Sequence, residues 1–180
     1  MTTATAQGAQ ERTGVVTFKG NPLTLLGPDI KVGDSAPDFQ VLDPALGTMK
    51  FSDAKGKVRI ISVVPSLDTP VCDAQTRRFN QEAVKLASNI EIWTISMDLP
   101  FAQRRWCGAA AIDRVKVFSD HRNADFGRNY GCLVKELRLL ARAVFVVDTA
   151  GTVRHVEYVR EMTTHPNYDA ALATAKQRAA

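Results

Sequence analysis

The run Val58-Arg59-Ile60-Ile61-Ser62-Val63-Val64 limits the possible folds more than any other segment. Nearly all of it is β-branched and apolar. Such side chains are stiff at χ1 and fit a pleated surface. A run of them without regular polar alternation marks a strand covered on both faces. A second strand of the same kind, Ile90 to Ser96, lies downstream. Between the two, Phe79, Ala83, Leu86 and Ala87 recur at helical spacing, with Gln75, Arg78, Glu82 and Lys85 on the opposite, polar face. This predicts a helix from Val71 to about Ala87.

The same alternation continues. Phe101 to Ala111 reads as a helix, Val115 to Phe118 as a short strand, Asn123 to Tyr130 as a helix, and Tyr168 to about Gln177 as a closing helix. Ala143 to Asp148 and Thr152 to Val159 are strands joined by the turn Thr149-Ala150-Gly151, and so are antiparallel neighbours. Upstream, Val15 to Phe18 and Leu23 to Leu26 flank the breaker-rich Lys19-Gly20-Asn21-Pro22 and predict a hairpin. Phe39 to Leu42 and Met49 to Phe51 are further short strand candidates. The pattern is α/β with a largely parallel centre, a βαβ unit followed by ββα, as in a thioredoxin-like fold. One domain is expected over residues 14–180. Met1 to Thr13, made largely of Thr, Ala, Gln and Gly, cannot bury enough surface to offset its ordering entropy and is expected to be a disordered tail.

Charge and cysteine usage narrow the function. A net charge of +4 is spread over the chain, with no basic run longer than the doublets Arg77-Arg78 and Arg104-Arg105. Nucleic-acid binding needs clustering and is not expected. No apolar stretch approaches the ~18 residues of a membrane span. The first residues lack the apolar stretch of a secretory signal, so a cytoplasmic protein is expected. Cys72, Cys107 and Cys132 are far apart and form no CxxC, and His121, His155 and His165 fall in no ligand spacing with them. A structural disulfide framework and a zinc site are therefore not expected. The thiols act as reactive groups or fill the core.

The segment that carries chemistry is Pro65-Ser66-Leu67-Asp68-Thr69-Pro70-Val71-Cys72. Thr69 suits a helix N-cap and Pro70 the first helical position. Cys72 then falls at the third position, near unpaired backbone N–H groups and the positive end of the helix dipole, a setting that favours thiolates. The Thr69 hydroxyl can point at the same spot. A free cysteine is often only a small buried hydrophobe. This one, however, follows a buried strand and opens a helix, where ligands bind in open α/β sheets.

With Arg77-Arg78-Phe79-Asn80, Ser96-Met97-Asp98-Leu99-Pro100-Phe101-Ala102-Gln103, Trp106-Cys107-Gly108, Arg122-Asn123 and Ala141-Arg142-Ala143, the stretch from Val15 to Ala175 resembles the peroxiredoxins, within them the bacterial thiol peroxidase branch. The opening Phe18-Lys19-Gly20-Asn21-Pro22 resembles that branch's N-terminal hairpin. The resemblance implies a thioredoxin-like fold, a mixed central sheet flanked by helices. It also implies a peroxidase for hydrogen peroxide and organic hydroperoxides that needs no cofactor. Cys72 corresponds to the peroxidatic cysteine, Pro65 to the residue that shields it, and Thr69 to the one that orients the peroxide. Arg142, read on its own, is either a surface cation or a charge with a buried partner. The resemblance implies the arginine that steadies thiolate and peroxide. It likewise implies that Cys107 is the resolving cysteine, closing an intrasubunit disulfide that thioredoxin reduces, and that the chain forms a homodimer. Cys132 has no counterpart and reads as a buried spectator or an alternative resolving thiol. Apolar Leu67, Val71, Leu99 and Phe101 near the site favour organic hydroperoxides. A rival reading is a peroxide-responsive sensor or holdase using the same Cys72; a disulfide reductase lacks its CxxC.

Overall fold

A computed structural model of the protein describes residues 10–179. Most of the predicted tail, residues 1–9, lies outside the described residues. The end of that stretch is not a tail. Strand β1 (Glu11–Phe18) begins within it, and Glu11, Arg12 and Thr13 face Leu26, Leu25 and Thr24 of β2 (Asn21–Leu26). Composition missed this because polar contacts hold the segment: the Arg12 guanidinium donates to the carbonyls of Gly27 and Gly131, at 3.2 and 2.7 Å, and to Asp29.

The main sheet is built from β3 (Gln40–Leu42), β4 (Thr48–Lys50), β5 (Val58–Val63), β6 (Ile90–Ser96), β7 (Lys116–Ser119), β9 (Ala143–Val147) and β10 (Val153–Tyr158). Its order is β10-β9-β5-β6-β7-β3-β4. Strands β5, β6 and β7 pair in parallel, with Ile61 opposite Trp93 and Thr94 opposite Val117. Strand β9 runs antiparallel to β5, Phe145 opposite Ile61. The three central strands are thus parallel, as expected, and the outer ones make the sheet mixed. A two-residue strand, β8 (Leu133–Val134), joins the hairpin in a separate sheet of order β1-β2-β8.

Helices α1 (Pro70–Ala83) and α4 (Tyr168–Ala179) lie on one face. There Phe79, Ala171 and Leu172 pack on Val58, Ile60, Ile92, Val144 and Val146. The other face carries Ile61, Val63, Trp93, Ile95 and Phe145 under an aromatic cluster of Phe39, Phe51, Phe126 and Tyr130. Phe39 is central, with ring centroids 5.0 Å from Phe51 and 4.9 Å from Phe126. Helix α1 ends at Ala83, short of the predicted Ala87, though Leu86 still packs against the core. Helix α2 (Pro100–Ala110) and the short α3 (Asp125–Asn129) complete the layers. No helix among the described residues is long and apolar enough to cross a membrane.

Candidate active site

The site forms where β5 runs out. Val64 makes a last sheet bond to the Ile95 carbonyl at 3.0 Å, and Pro65, lacking an N–H, turns the chain away. The loop that follows is pinned by Asp98. Its carboxylate accepts from the Ser66 hydroxyl at 2.7 Å and the Leu67 N–H at 2.8 Å, and also from Ser96. Gln103, buried in α2, donates to Ser96 at 3.0 Å and to the Phe118 carbonyl at 2.8 Å. These contacts explain two members of the Ser96–Gln103 run in physical terms.

Thr69 is extended, Pro70 occupies the first turn, and Cys72 stands at the third helical position. The expected side-chain cap is absent. The Thr69 hydroxyl donates instead to the Ser66 carbonyl at 3.0 Å, while the Thr69 carbonyl accepts from the Asp73 N–H at 2.9 Å. With its proton committed, the hydroxyl presents lone pairs, so it can accept from a peroxide O–H.

Cys72 is fully buried, and so is the arginine that meets it. Arg142, 70 residues away in sequence, places Nη2 3.3 Å from Cys72 Sγ. Its Nη1 donates to Gln75 Oε1 at 2.6 Å and its Nε to the Met162 carbonyl at 3.0 Å. Gln75 in turn donates to the Ser62 hydroxyl at 2.8 Å. Gln75 therefore does not belong to a solvated face of α1, as its helical position predicted; it is buried between strand and guanidinium. Burying a charge is costly unless it is paired and hydrogen-bonded, and here every nitrogen of the guanidinium has an acceptor or the sulfur.

An apolar groove of about 300 Å³ opens beside this cluster. Pro65, Thr69, Val71 and Arg142 form its floor and side, and Phe18 with Met162 forms the opposite wall. Of the four apolar residues expected near the site, only Val71 lines it. Leu67 is buried in the core, while Leu99 and Phe101 are exposed.

Cys107 lies half-buried in α2 and packs, with Trp106, against the same apolar cluster that contains Cys72. Both thiols are free. Burial pushes the Cys107 thiol up. It borders a second groove, shared with Met49, Ile112 and Val115. Cys132 is fully buried, its Sγ 3.5 Å from the Tyr130 carbonyl, and burial pushes its thiol up as well.

Known proteins show which family the chain is similar to. Residues 31–172 match the family model described as Redoxin. A thiol peroxidase of Oceanobacillus iheyensis is 62% identical over 158 residues, covering 88% of this chain and 96% of the relative. One from Bacillus subtilis is 59% identical over 161 residues, covering 89% and 96%. Among solved structures, a peroxiredoxin-like protein from Aquifex aeolicus superposes with a TM-score of 0.85 at 43% identity, covering 94% of this chain and 99% of that one. A thiol peroxidase from Chromobacterium violaceum, 19% identical, shares the fold with a TM-score of 0.80 over 90% of this chain and 95% of its own.

Proposed function

Since this chain belongs to the Redoxin family and is a thiol-dependent peroxidase of the bacterial thiol peroxidase type, we propose that Cys72 is its peroxidatic cysteine and Cys107 its resolving cysteine. The observation that carries the reading is the 3.3 Å approach of Arg142 Nη2 to Cys72 Sγ inside a buried, hydrogen-bonded cluster. A guanidinium stays charged and offers donors in a fixed fork, so it stabilises the thiolate and the oxygens of an incoming peroxide.

The steps follow from the groups present. The Cys72 thiol loses its proton to solvent and the thiolate attacks the terminal oxygen of a hydroperoxide; the O–O bond breaks, and the departing alkoxide or hydroxide takes a proton back from solvent to leave as alcohol or water. Cys72 becomes a sulfenic acid. Arg142 and the backbone N–H groups at the start of α1 face the oxygens as charge develops, and the Thr69 oxygen accepts a hydrogen bond from the peroxide O–H and fixes its direction. Pro65 and Val71 exclude water from the sulfur. The apolar walls of the groove favour organic hydroperoxides alongside hydrogen peroxide.

In the second stage the Cys107 sulfur attacks the Cys72 sulfenic sulfur, water leaves, and an intrasubunit disulfide forms. That bond needs Cα atoms within about 7 Å; both thiols are free here and Cys72 is fully buried in α1, so closure moves α1, α2 or both. Thioredoxin then reduces the disulfide by thiol exchange; the half-exposed position of Cys107 on a groove supports access from outside. A homodimer in the cytoplasm completes the reading, with exposed Phe18 and Phe101 as apolar surface for a second copy.

The test is peptide mass spectrometry of the reduced protein after one equivalent of cumene hydroperoxide. A Cys72–Cys107 cross-linked peptide is expected. Sulfenic or sulfinic acid on Cys72 without that link removes Cys107 as the resolver, and three untouched thiols overturn the assignment. Cys72→Ser is expected to abolish activity, and Cys107→Ser to retain the first turnover while losing recycling by thioredoxin.

A further inference from the structure

At the end of the sheet opposite Cys72 a second pocket opens, and we propose that it binds a small oxyanion, the carboxylate or phosphate group of a metabolite. Arg59 lies near the start of β5, opposite Glu91 of β6 and Val147 of β9. It is only 3% exposed. Its guanidinium stacks on the Phe51 ring at 4.2 Å and sits 6.0 Å from that of Trp93. Aromatic faces attract a cation but accept no conventional hydrogen bond from it, and Arg59 Nε and Nη1 are buried without a partner. The nearest carboxylate does not serve them. Glu91 accepts from Lys57 at 2.5 Å, from Lys116 at 3.0 Å and from Trp93 Nε1 at 3.0 Å.

A buried guanidinium with unmet donors is costly to the fold unless something else supplies acceptors. Arg59 also lines a cavity in which an anion faces its positive charge, and an outward turn of the side chain brings the covered Nε and Nη1 to that anion. The cavity measures about 320 Å³ and is closed by three separate stretches of chain: the loop before β3, the turn around Lys55, and the β9–β10 turn. Lys55 adds a second cation, and Ser35, Ser52 and Thr149 add hydroxyls. Asp38 also lines the cavity, but its Oδ1 is taken by the Ser52 N–H at 2.8 Å. Lys55 and Arg59 against Asp38 leave one net positive charge in the lining, which a monoanion neutralises. A planar or tetrahedral oxyanion supplies lone pairs on several sides and matches an arginine beside a mobile lysine.

The experiment uses the full-length reduced protein, labelled with nitrogen-15, and follows the Arg59 Nε–Hε resonance during titration with inorganic phosphate or malonate. Sodium chloride at matched ionic strength is the control. A saturable shift with a dissociation constant around 1 mM is expected, at least tenfold weaker in Lys55→Gln and missing in Arg59→Met. Saturation by phosphate alone identifies a phosphorylated ligand, by malonate alone a carboxylate, and by both a general oxyanion hole; each supports the site. Absence of saturation with either anion, equal saturation by chloride, or unchanged affinity in Lys55→Gln overturns it. Lys55 is exposed, so that variant remains decisive even where Arg59→Met does not fold.

Discussion

Arg142 distributes its nitrogens over three parts of the chain: Nε to the Met162 carbonyl, Nη1 to Gln75 and Nη2 to the Cys72 sulfur. A lysine carries the charge but has one nitrogen and no fork, so it cannot reproduce all three contacts. Arg142→Lys is therefore expected to lower kcat/KM for peroxide by about 10²–10³-fold, the range seen when an electrostatic donor is removed. Stopped-flow kinetics measures this, and an unchanged rate would remove the arginine from the mechanism. The place of Cys72 at the third position of a helix could be read from sequence because a strand end and a proline at a helix start are local signals, whereas the Thr69 side-chain cap is not formed and the role of Pro65 came only from the resemblance. Arg142 could not be read this way, since its partner is 70 residues distant and only the resemblance joined them. Gln75 was misplaced for a related reason. Helical periodicity treats a polar residue as solvated, and nothing in a one-dimensional pattern shows that Ser62 and Arg142 wait on the buried side.

Among the elements, α1 and α2 are fastened together near both candidate thiols. Arg77 pairs with Asp73 at 2.8 Å, donates to the Ala110 carbonyl at 3.1 Å and lies over the Trp106 ring. Asn80 Oδ1 accepts from the backbone N–H groups of Asp113, Arg114 and Val115. If disulfide closure requires α2 to unwind, Arg77→Ala speeds the second kinetic phase after sulfenic acid formation; Trp106 fluorescence beside Cys107 follows it, and an unaltered or slower phase contradicts the idea. Helix α3 is held differently. The Asp120 carboxyl accepts from the Phe126 and Gly127 N–H groups, while burial pushes it up to about 7 from an ordinary 3.8. The folded state then retains a proton that the unfolded state has lost. The stabilisation is complete below about pH 3.8 and declines as pH rises through about 7. Asp120→Asn, which cannot ionise, is expected to flatten the dependence of Tm on pH across that interval; a parallel pair of curves would count against it. Long apolar strands were legible, but short β8 was not, because two residues carry no period.

Over the whole molecule, the hairpin sheet and the main sheet meet through Glu161. Its carboxylate accepts from the Thr17 hydroxyl, from the N–H groups of Lys19 and Gly20, and from Thr163. Those bonds hold its carboxyl well below the usual range. Through them the turn bearing Phe18 is fixed against the loop bearing Met162, and these residues form the far wall of the groove. Glu161→Ala is expected to raise KM for cumene hydroperoxide more than for hydrogen peroxide, since only the larger substrate needs that wall; equal effects in steady-state assays would show otherwise. The hairpin itself was visible as two apolar runs around breakers, whereas its attachment, made between residues more than 140 positions apart, left no sequence pattern.

Cys72 belongs to the same apolar cluster as Phe79 and Leu172, and no part of it reaches solvent. The proposed nucleophile is thus also a piece of the scaffold. Withdrawing it to meet Cys107, as the proposed disulfide requires, removes a packed side chain from the buried face of α1 and loosens its neighbours. If Cys72 and Cys107 form the proposed disulfide, each catalytic cycle contains a small unfolding and refolding event, and reduction of the disulfide restores shape as well as electrons. On this view the oxidised protein is the form most open to proteolysis and aggregation, and a shortage of reductant shortens the life of the molecule before it exhausts the supply of thiol.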